Sequence, residues 1–110
     1  MNQSDRKRIE DLIRAQATKR TIKLTLHAHQ EMAEDDVDVT ELLTCLAHCT
    51  LLEDYPEHKR GACCLICDHA HTGRYLHVVC TTEGPELIII TVYEPKPPKW
   101  ESPFQRGMRS

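Results

Sequence analysis

The sequence predicts a single α+β domain in which N-terminal helices pack on one face of a three- to four-stranded antiparallel sheet. Its apolar residues recur at helical spacing before residue 51 and form short runs with a period of two after it. A chain of 110 residues has room for one hydrophobic core. The turns between the later runs are short, and short connections favour antiparallel neighbours.

Two helices are predicted in the first third of the chain. Residues 5–18 repeat apolar side chains at helical spacing, with Ser4 as the N-cap and basic residues on the remaining face. Residues 21–26 are rich in β-branched types and predict a short extended segment. Residues 27–34 then follow the pattern of a second, short helix.

A third helix is predicted to begin after Asp38, because Asp38 and Glu41 have the spacing of a capping box. In this motif each side chain accepts a hydrogen bond from the other residue's backbone amide, which satisfies two donors at the start of the helix. The apolar stripe of the third helix consists of Val39, Leu42, Leu43, Leu46 and Cys49.

Four strands are predicted, over residues 51–55, 62–67, 75–82 and 87–93. In the last two strands the even-numbered side chains are the more apolar set, so we expect that set to face the helices. It consists of Leu76, Val78, Cys80, Ile88, Ile90 and Val92. The odd-numbered side chains then lie on the opposite face of the sheet.

Composition divides the chain into three segments. Residues 1–23 hold the N-terminal amphipathic helix and its link, residues 24–94 the α+β core, and residues 95–110 a basic, proline-rich C-terminal tail. The four prolines of this tail exclude a central strand or a helix. We expect the tail to pack over the core through Trp100 and Phe104.

Charge and hydropathy narrow the class of protein. The longest apolar runs span only a few residues, which excludes a membrane span, and the polar N-terminus has none of the features of a secretory signal. We therefore expect a cytoplasmic protein. Residues 27–58 carry nine acidic residues and no Lys or Arg, so a contact with RNA must be confined to a local patch elsewhere.

The six cysteines are expected to be reduced in the cytosol. Cys64, Cys67, His69 and His71 have a spacing that suggests a zinc site. Strand alternation nevertheless puts Cys64 and Cys67 on opposite faces, and leaves Cys63 and Cys67 about 13 Å apart on the same face. The favoured interpretation is that these cysteines are small apolar residues of a half-buried strand, with no metal site and no small-molecule cofactor.

His77 and Tyr93 form the first candidate site. If the last two strands pair antiparallel with their even-numbered sets on one face, His77 lies opposite Thr91 or Tyr93 on the other face. An imidazole beside a phenol supplies the base and the acid that proton transfer needs. The alternative is an ordinary polar sheet face with a cross-strand aromatic pair, and residue types alone do not distinguish the two.

His27 is a second candidate base, because the positive end of a helix dipole would keep its imidazole neutral. The alternative is a histidine that only caps the helix. Acid–base chemistry on a phosphate would also need a cation for the charge in the transition state, which Arg74 or Arg106 would supply. The candidate catalytic residues are therefore His27, His77, Tyr93, Arg74 and Arg106.

Several short segments occur in an order typical of one family. They are His27-Ala28 with Met32 downstream, Tyr55-Pro56, residues 73–79, residues 90–93 followed by Pro95, and Trp100. From about residue 24 to residue 106 this order resembles the bacterial domain-of-unknown-function family 4258 (DUF4258). The resemblance implies a fold similar to the RelE, BrnT and MqsR toxins, which are messenger-RNA endonucleases. It also implies RNA or the ribosome as the target and an antitoxin protein as the partner.

Two functions are compatible with these observations. The first is a RelE-like RNA endonuclease, or a degenerate relative, held in check by an antitoxin. The second is a non-catalytic module whose acidic helices or sheet edge bind a protein partner, and a zinc-binding protein is a third interpretation. A cleft that joins His77, Tyr93 and an arginine would favour the enzyme, and an exposed apolar patch would favour the module.

Overall fold

The computed structural model describes residues 2–59 and 61–107. Within these ranges the chain forms three helices, a five-stranded sheet and a two-stranded hairpin. The helices are α1 (Gln3–Thr18), α2 (Leu26–Glu34) and α3 (Val39–His48). The strands of the sheet are β1 (Ile22–Leu24), β2 (Thr50–Tyr55), β3 (Cys63–His69), β4 (Tyr75–Thr81) and β5 (Leu87–Tyr93). The hairpin consists of β6 (Trp100–Ser102) and β7 (Gln105–Arg106), and the end of the predicted tail, 108–110, lies outside the described residues.

The sheet is mixed, with the strand order β1-β5-β4-β3-β2. Strands β2 to β5 pair antiparallel as expected, whereas β1 pairs parallel to β5, with Ile22 beside Leu87. The prediction of a three- to four-stranded, purely antiparallel sheet is therefore wrong, because it omits β1. Parallel pairing joins distant parts of a chain, so nothing local in a strand of 3 residues indicates its partner.

Side-chain caps determine where two of the helices begin. α1 begins after Asn2, whose Oδ1 accepts from the Asp5 amide at 2.8 Å, so the predicted N-cap, Ser4, lies inside the helix. Asn and Ser are comparable N-caps, and residue type therefore did not decide between them. α3 has the predicted capping box. The Glu41 amide donates to Asp38 Oδ1 at 2.8 Å, and the Asp38 amide donates to Glu41 Oε1 at 3.3 Å.

The helices cover one face of the sheet and share a core with it. The buried helix residues of this core are Ile9, Ile13, Ala17, Ala28, Met32, Leu42, Cys45 and Leu46. Each large apolar side chain buried here contributes about 1.5 to 3 kcal/mol to stability. Val39 is the first residue of α3 and is 50% exposed, so the stripe begins one turn later than predicted. Among the described helices, none is long and apolar enough to cross a membrane.

β5 presents a different set of side chains to the helices from the one predicted. Ile89 lies in the core and Ile88 is 38% exposed, the reverse of the expectation from alternation. The cause is a β-bulge. Thr91 and Ile89 pair with consecutive residues of β4, so Ile90 between them is an extra residue. From the bulge back to the start of β5, each side chain therefore lies on the face opposite to the one that alternation predicts. Val92, on the near side of the bulge, faces the core as predicted.

β4 is buried on both faces near its middle. The predicted even-numbered set packs against the helices and consists of Leu76, Val78 and Cys80, all 0% exposed. His77 points to the opposite face and is also 0% exposed, because the C-terminal tail lies over it with Trp100 against its ring. The tail therefore forms a second layer over the face on which the first candidate site was predicted.

Candidate functional site

His77 and Tyr93 are neighbours on the sheet face away from the helices. They are register partners across β4 and β5, which is one of the two pairings that alternation predicted. His77 Nδ1 lies 3.0 Å from Tyr93 Oη, and the two ring centroids are 5.2 Å apart. The predicted register holds for this pair because the β-bulge lies nearer the start of β5, before Thr91.

The tail fixes the protonation state of His77. Its Nε2 lies 2.6 Å from the carbonyl oxygen of Pro103, and the Trp100 ring packs edge-on with its centroid 4.2 Å away. A carbonyl oxygen can only accept, so Nε2 must carry the proton. Nδ1 is then the acceptor, and the Tyr93 hydroxyl donates to it. In this arrangement both ring nitrogens of His77 are engaged.

Burial sets the acid–base character of this pair. It lowers the pKa of His77 below its ordinary value, against the opposing effects of the Pro103 carbonyl and the Glu53 carboxylate. Burial also raises the pKa of the Tyr93 phenol. The site therefore holds a neutral imidazole and a protonated phenol at neutral pH. The buried Nε1–H of Trp100 has no hydrogen-bond partner within the described part of the chain.

Arg106 brings a cation to the edge of this cluster. Its guanidinium carbon lies 4.7 Å from the Trp100 ring centroid, within the range of a cation–π contact. Its Nε and Nη2 donate to the two carboxylate oxygens of Glu53 at 3.0 and 2.8 Å, and this pairing lowers the pKa of Glu53. The Tyr55 hydroxyl also donates to Glu53. The Arg106 side chain is 52% exposed, so its charge is accessible from solvent.

His27 is not part of this cluster. It lies in the first turn of α2, in the helix layer on the other face of the sheet, with its side chain 62% exposed. Its Nε2 is 3.2 Å from Glu31 Oε1. The residue that caps α2 is Thr25, which accepts from the Ala28 amide at 3.1 Å, so the alternative of a capping histidine is wrong.

Arg74 is held within a set of oxygen acceptors at the ends of several elements. It donates to both oxygens of Glu41 on α3, at 2.9 and 2.8 Å, and to Glu94 after β5 at 3.2 Å. It also donates to the carbonyl oxygens of Asp35 and Asp36, between α2 and α3. All the directions in which it could donate to a phosphate are taken by protein oxygens, so its observed role is to join these elements.

Glu41 shows how strong this interaction is. The carboxylate is 4% exposed, and the hydrogen bonds from Arg74 lower its pKa to about 2 against the opposing effect of burial. The Thr72 hydroxyl adds a further bond at 2.7 Å. Sequence analysis identified Glu41 only as half of a capping box. Its partner Arg74, directly before β4, is 33 residues away in the chain, and no local pattern indicates it.

All six cysteines are free and buried. Cys64 lies in the helix-facing core, with its sulfur 4.0 Å from that of its register partner Cys80. Cys67 pairs with His77 and so lies on the tail face, which places Cys64 and Cys67 on opposite sides as predicted. Across the described residues, no group of three His, Cys, Asp or Glu side chains is arranged to hold a metal ion.

We expect the thiols to resist alkylation in the native protein. Cys45, Cys49, Cys64 and Cys67 are 0% exposed, and burial raises the pKa of Cys45 and of Cys67 to about 12. Thiolate, the reactive form, is therefore scarce at neutral pH. Iodoacetamide should label all six cysteines in denaturant, as measured by mass spectrometry. In the native protein each of them should be labelled more slowly. Rapid native labelling of any of these four would contradict the packing described here.

The sequence model of one family matches the chain. The family is described as a domain of unknown function, DUF4258, and the match covers residues 24–94. His27, Arg74, His77 and Tyr93 fall inside this segment, whereas Arg106 and the tail that covers His77 fall outside it. No curated protein and no solved structure matches the chain.

Proposed function

The chain belongs to the DUF4258 family, and from that premise we propose that it is a metal-independent endoribonuclease of the RelE type, held in check by a partner protein. The observation that supports this best is the hydrogen-bonded pair of His77 and Tyr93, 3.0 Å apart, with the Arg106 guanidinium beside it. A neutral base, a protonated acid and a cation are the three groups that cleavage of RNA through its own 2′-hydroxyl uses.

The described arrangement is the closed state of this site. The Pro103 carbonyl and the Trp100 ring occupy the space next to His77, and Glu53 occupies the donors of Arg106. Substrate entry requires the tail to lift, which uncovers Nε2 of His77. It also requires a phosphate to replace the Glu53 carboxylate on Arg106. The second change exchanges one acceptor for another, since a phosphate oxygen accepts the same bidentate hydrogen bonds as a carboxylate.

The reaction then has a balanced course. Once the tail has lifted, exchange with water moves the His77 proton from Nε2 to Nδ1, where it is donated to Tyr93 Oη. The free Nε2 then accepts the proton of the 2′-hydroxyl. The 2′-oxygen bonds to the adjacent phosphorus as the bond from phosphorus to the 5′-oxygen breaks, and Tyr93 gives its proton to that 5′-oxygen. Arg106 stabilises the charge on the phosphate. Transfer of the Nδ1 proton to the phenolate restores a neutral pair, with the proton of His77 on Nε2 as in the closed state.

The test is cleavage of a single-stranded RNA by the purified full-length protein in EDTA, with and without ribosomes. Products should carry 2′,3′-cyclic phosphate and 5′-hydroxyl ends. An oligonucleotide of the same sequence with 2′-deoxyribose should stay intact, because it lacks the nucleophile. If the RNA also stays intact, both free and on ribosomes, the endonuclease proposal is wrong.

A second function is favoured by one surface. The β-bulge turns Ile88 and Ile90 outward, and with Thr25, His58 and Thr81 they line an open groove of about 550 Å³. An exposed apolar groove of this kind suits a protein partner, as a non-catalytic interaction module would require. A partner bound there should be lost on Ile88→Glu, while RNA cleavage should not change.

A further inference from the structure

Four rings contact one another in succession on the protein surface. His48 and His69 have centroids 4.4 Å apart, His69 and Tyr75 are 6.1 Å apart, and Tyr75 and Phe104 are 5.3 Å apart. We call these four residues the ring row. Tyr75 is 36% exposed, Phe104 is 44% exposed, and the His69 side chain is 45% exposed. Rings that pack on each other at the surface, and not in the core, leave faces open to a planar ligand.

The charges around the ring row suit an anion. Arg14 donates to the carbonyl oxygens of His48 and Cys49 at 3.0 and 2.9 Å, and its Nη1 lies 3.4 Å from the Asp11 carboxylate. Its side chain is 40% exposed. At the other end, Arg106 follows Phe104 by two residues and is 52% exposed. Asp68, the acid next to His69, is largely buried.

Hydrogen bonds hold the Asp68 side chain in place. Its carboxylate accepts from the His69 amide at 2.9 Å, from the His69 ring at 2.8 Å and from the Thr50 hydroxyl at 2.8 Å. The side chain is 14% exposed, so little of its charge faces a ligand on the row. The surface therefore combines open rings with an arginine at each end, on which a phosphate would replace the carboxylate of Asp11 or Glu53. Proteins bind single-stranded nucleic acid with stacking rings beside cations.

We propose that the ring row is a binding site for unpaired bases of single-stranded RNA. The site lies next to the cluster described above, because Tyr75 and His77 are on the same face of β4 and Phe104 adjoins Pro103 over His77. A strand that stacks its bases on the row would carry its phosphates toward Arg106 and His77. The inference rests on the proposed function for the choice of RNA as the ligand, but it needs no cleavage.

The test measures binding with a probe that the protein has no means to cleave. A fluorescein-labelled 2′-O-methyl RNA of mixed sequence is titrated with the full-length protein, and fluorescence anisotropy gives Kd. Tyr75→Ala and Phe104→Ala should each raise Kd by about fivefold or more, the loss expected for one base stack. Tyr75→Phe keeps the ring and should bind like the wild type. Val39→Ala changes an exposed apolar residue on α3, outside both the ring row and the groove at Ile88, and is the matched control.

Several outcomes would overturn the inference. They are equal affinity for the single strand and for a duplex of the same length, unchanged Kd in both alanine variants, or capture of a protein through these rings with no binding of the oligonucleotide. Circular dichroism must show that each variant is folded. Ring-dependent binding without any cleavage of natural RNA would keep the ring row and reject the endonuclease, so the two proposals fail separately.

Discussion

Replacing Arg74 with methionine is expected to lower the free energy of unfolding by about 3 kcal/mol or more. The substitution keeps the apolar stem but leaves the Glu41 carboxylate, which is 4% exposed, without the guanidinium that pairs with both of its oxygens. It also removes the donor to the carbonyl oxygens of Asp35 and Asp36. Removing one partner of a buried ion pair typically costs about 3 to 5 kcal/mol, because a buried charge remains. Urea denaturation followed by circular dichroism measures this loss.

Lys7 provides the matched control. Its ion pair with Asp11 has a similar distance of 3.1 Å, but the two side chains are 78% and 52% exposed. Solvent screens such a pair, so Lys7→Met should change the free energy of unfolding by about 0.5 kcal/mol or less. Comparable losses in the two variants would mean that the arrangement around Arg74 does not stabilise the fold.

The stability lost in Arg74→Met should depend on pH. The folded-state pKa of Glu41 is lowered from 4.5 to about 2, chiefly by its hydrogen bonds from Arg74. A carboxylate with a lowered pKa contributes stability that is complete above its unfolded-state pKa and is lost as the pH falls toward the folded-state value. The wild-type and Arg74→Met unfolding free energies should therefore converge between pH 4.5 and 2. A constant difference over that interval would contradict the assignment of the stabilisation to Glu41.

Arg74 also illustrates what the sequence could not predict. A lone arginine between a turn and a strand has the properties of a phosphate contact, and that was the function predicted for it. Its acceptors come from α3, from the turn after α2 and from the end of β5, all of them far away in the chain. By contrast, the capping box of Asp38 and Glu41 was predicted correctly, because both of its hydrogen bonds join residues three apart.

β4 and β5, the two strands of the candidate site, also show which features a local sequence pattern predicts and which depend on distant contacts. Alternation predicted that His77 would lie opposite Thr91 or Tyr93, and the observed partner is Tyr93. The prediction holds because an unbroken antiparallel ladder keeps alternate side chains on the same face. Alternation failed at Ile88, since a bulge at Ile90 leaves no mark on the hydrophobic pattern. The complete burial of His77 was also missed. That burial depends on Trp100 and Pro103 in the tail. A contact between segments that are distant in the chain leaves no periodic pattern in the sequence.

The largest effect on activity is expected from substitutions of His77 and Tyr93. If the endonuclease proposal is right, His77→Gln and Tyr93→Phe should each lower the single-turnover rate of RNA cleavage by about a hundredfold or more, because each removes a proton donor or acceptor. His77→Ala should have the same effect. Expression of the wild-type chain without its partner should slow growth, and these variants should relieve that effect. Ile88→Ala lies away from the pair and should cleave at the wild-type rate.

An unfolded variant would also be inactive, so the stability of each variant must be measured together with its activity. Tyr93→Phe keeps the ring against Lys99 and His77 and removes one hydrogen bond, which costs about 1 kcal/mol. His77→Ala leaves the Pro103 carbonyl without its donor and opens a cavity, whereas the glutamine amide of His77→Gln keeps a donor near that carbonyl. A folded Tyr93→Phe that cleaves at the wild-type rate would exclude Tyr93 as the acid. Full activity of folded His77→Gln would show that the imidazole is not the base, and the pair would then be a structural contact between the sheet and its tail.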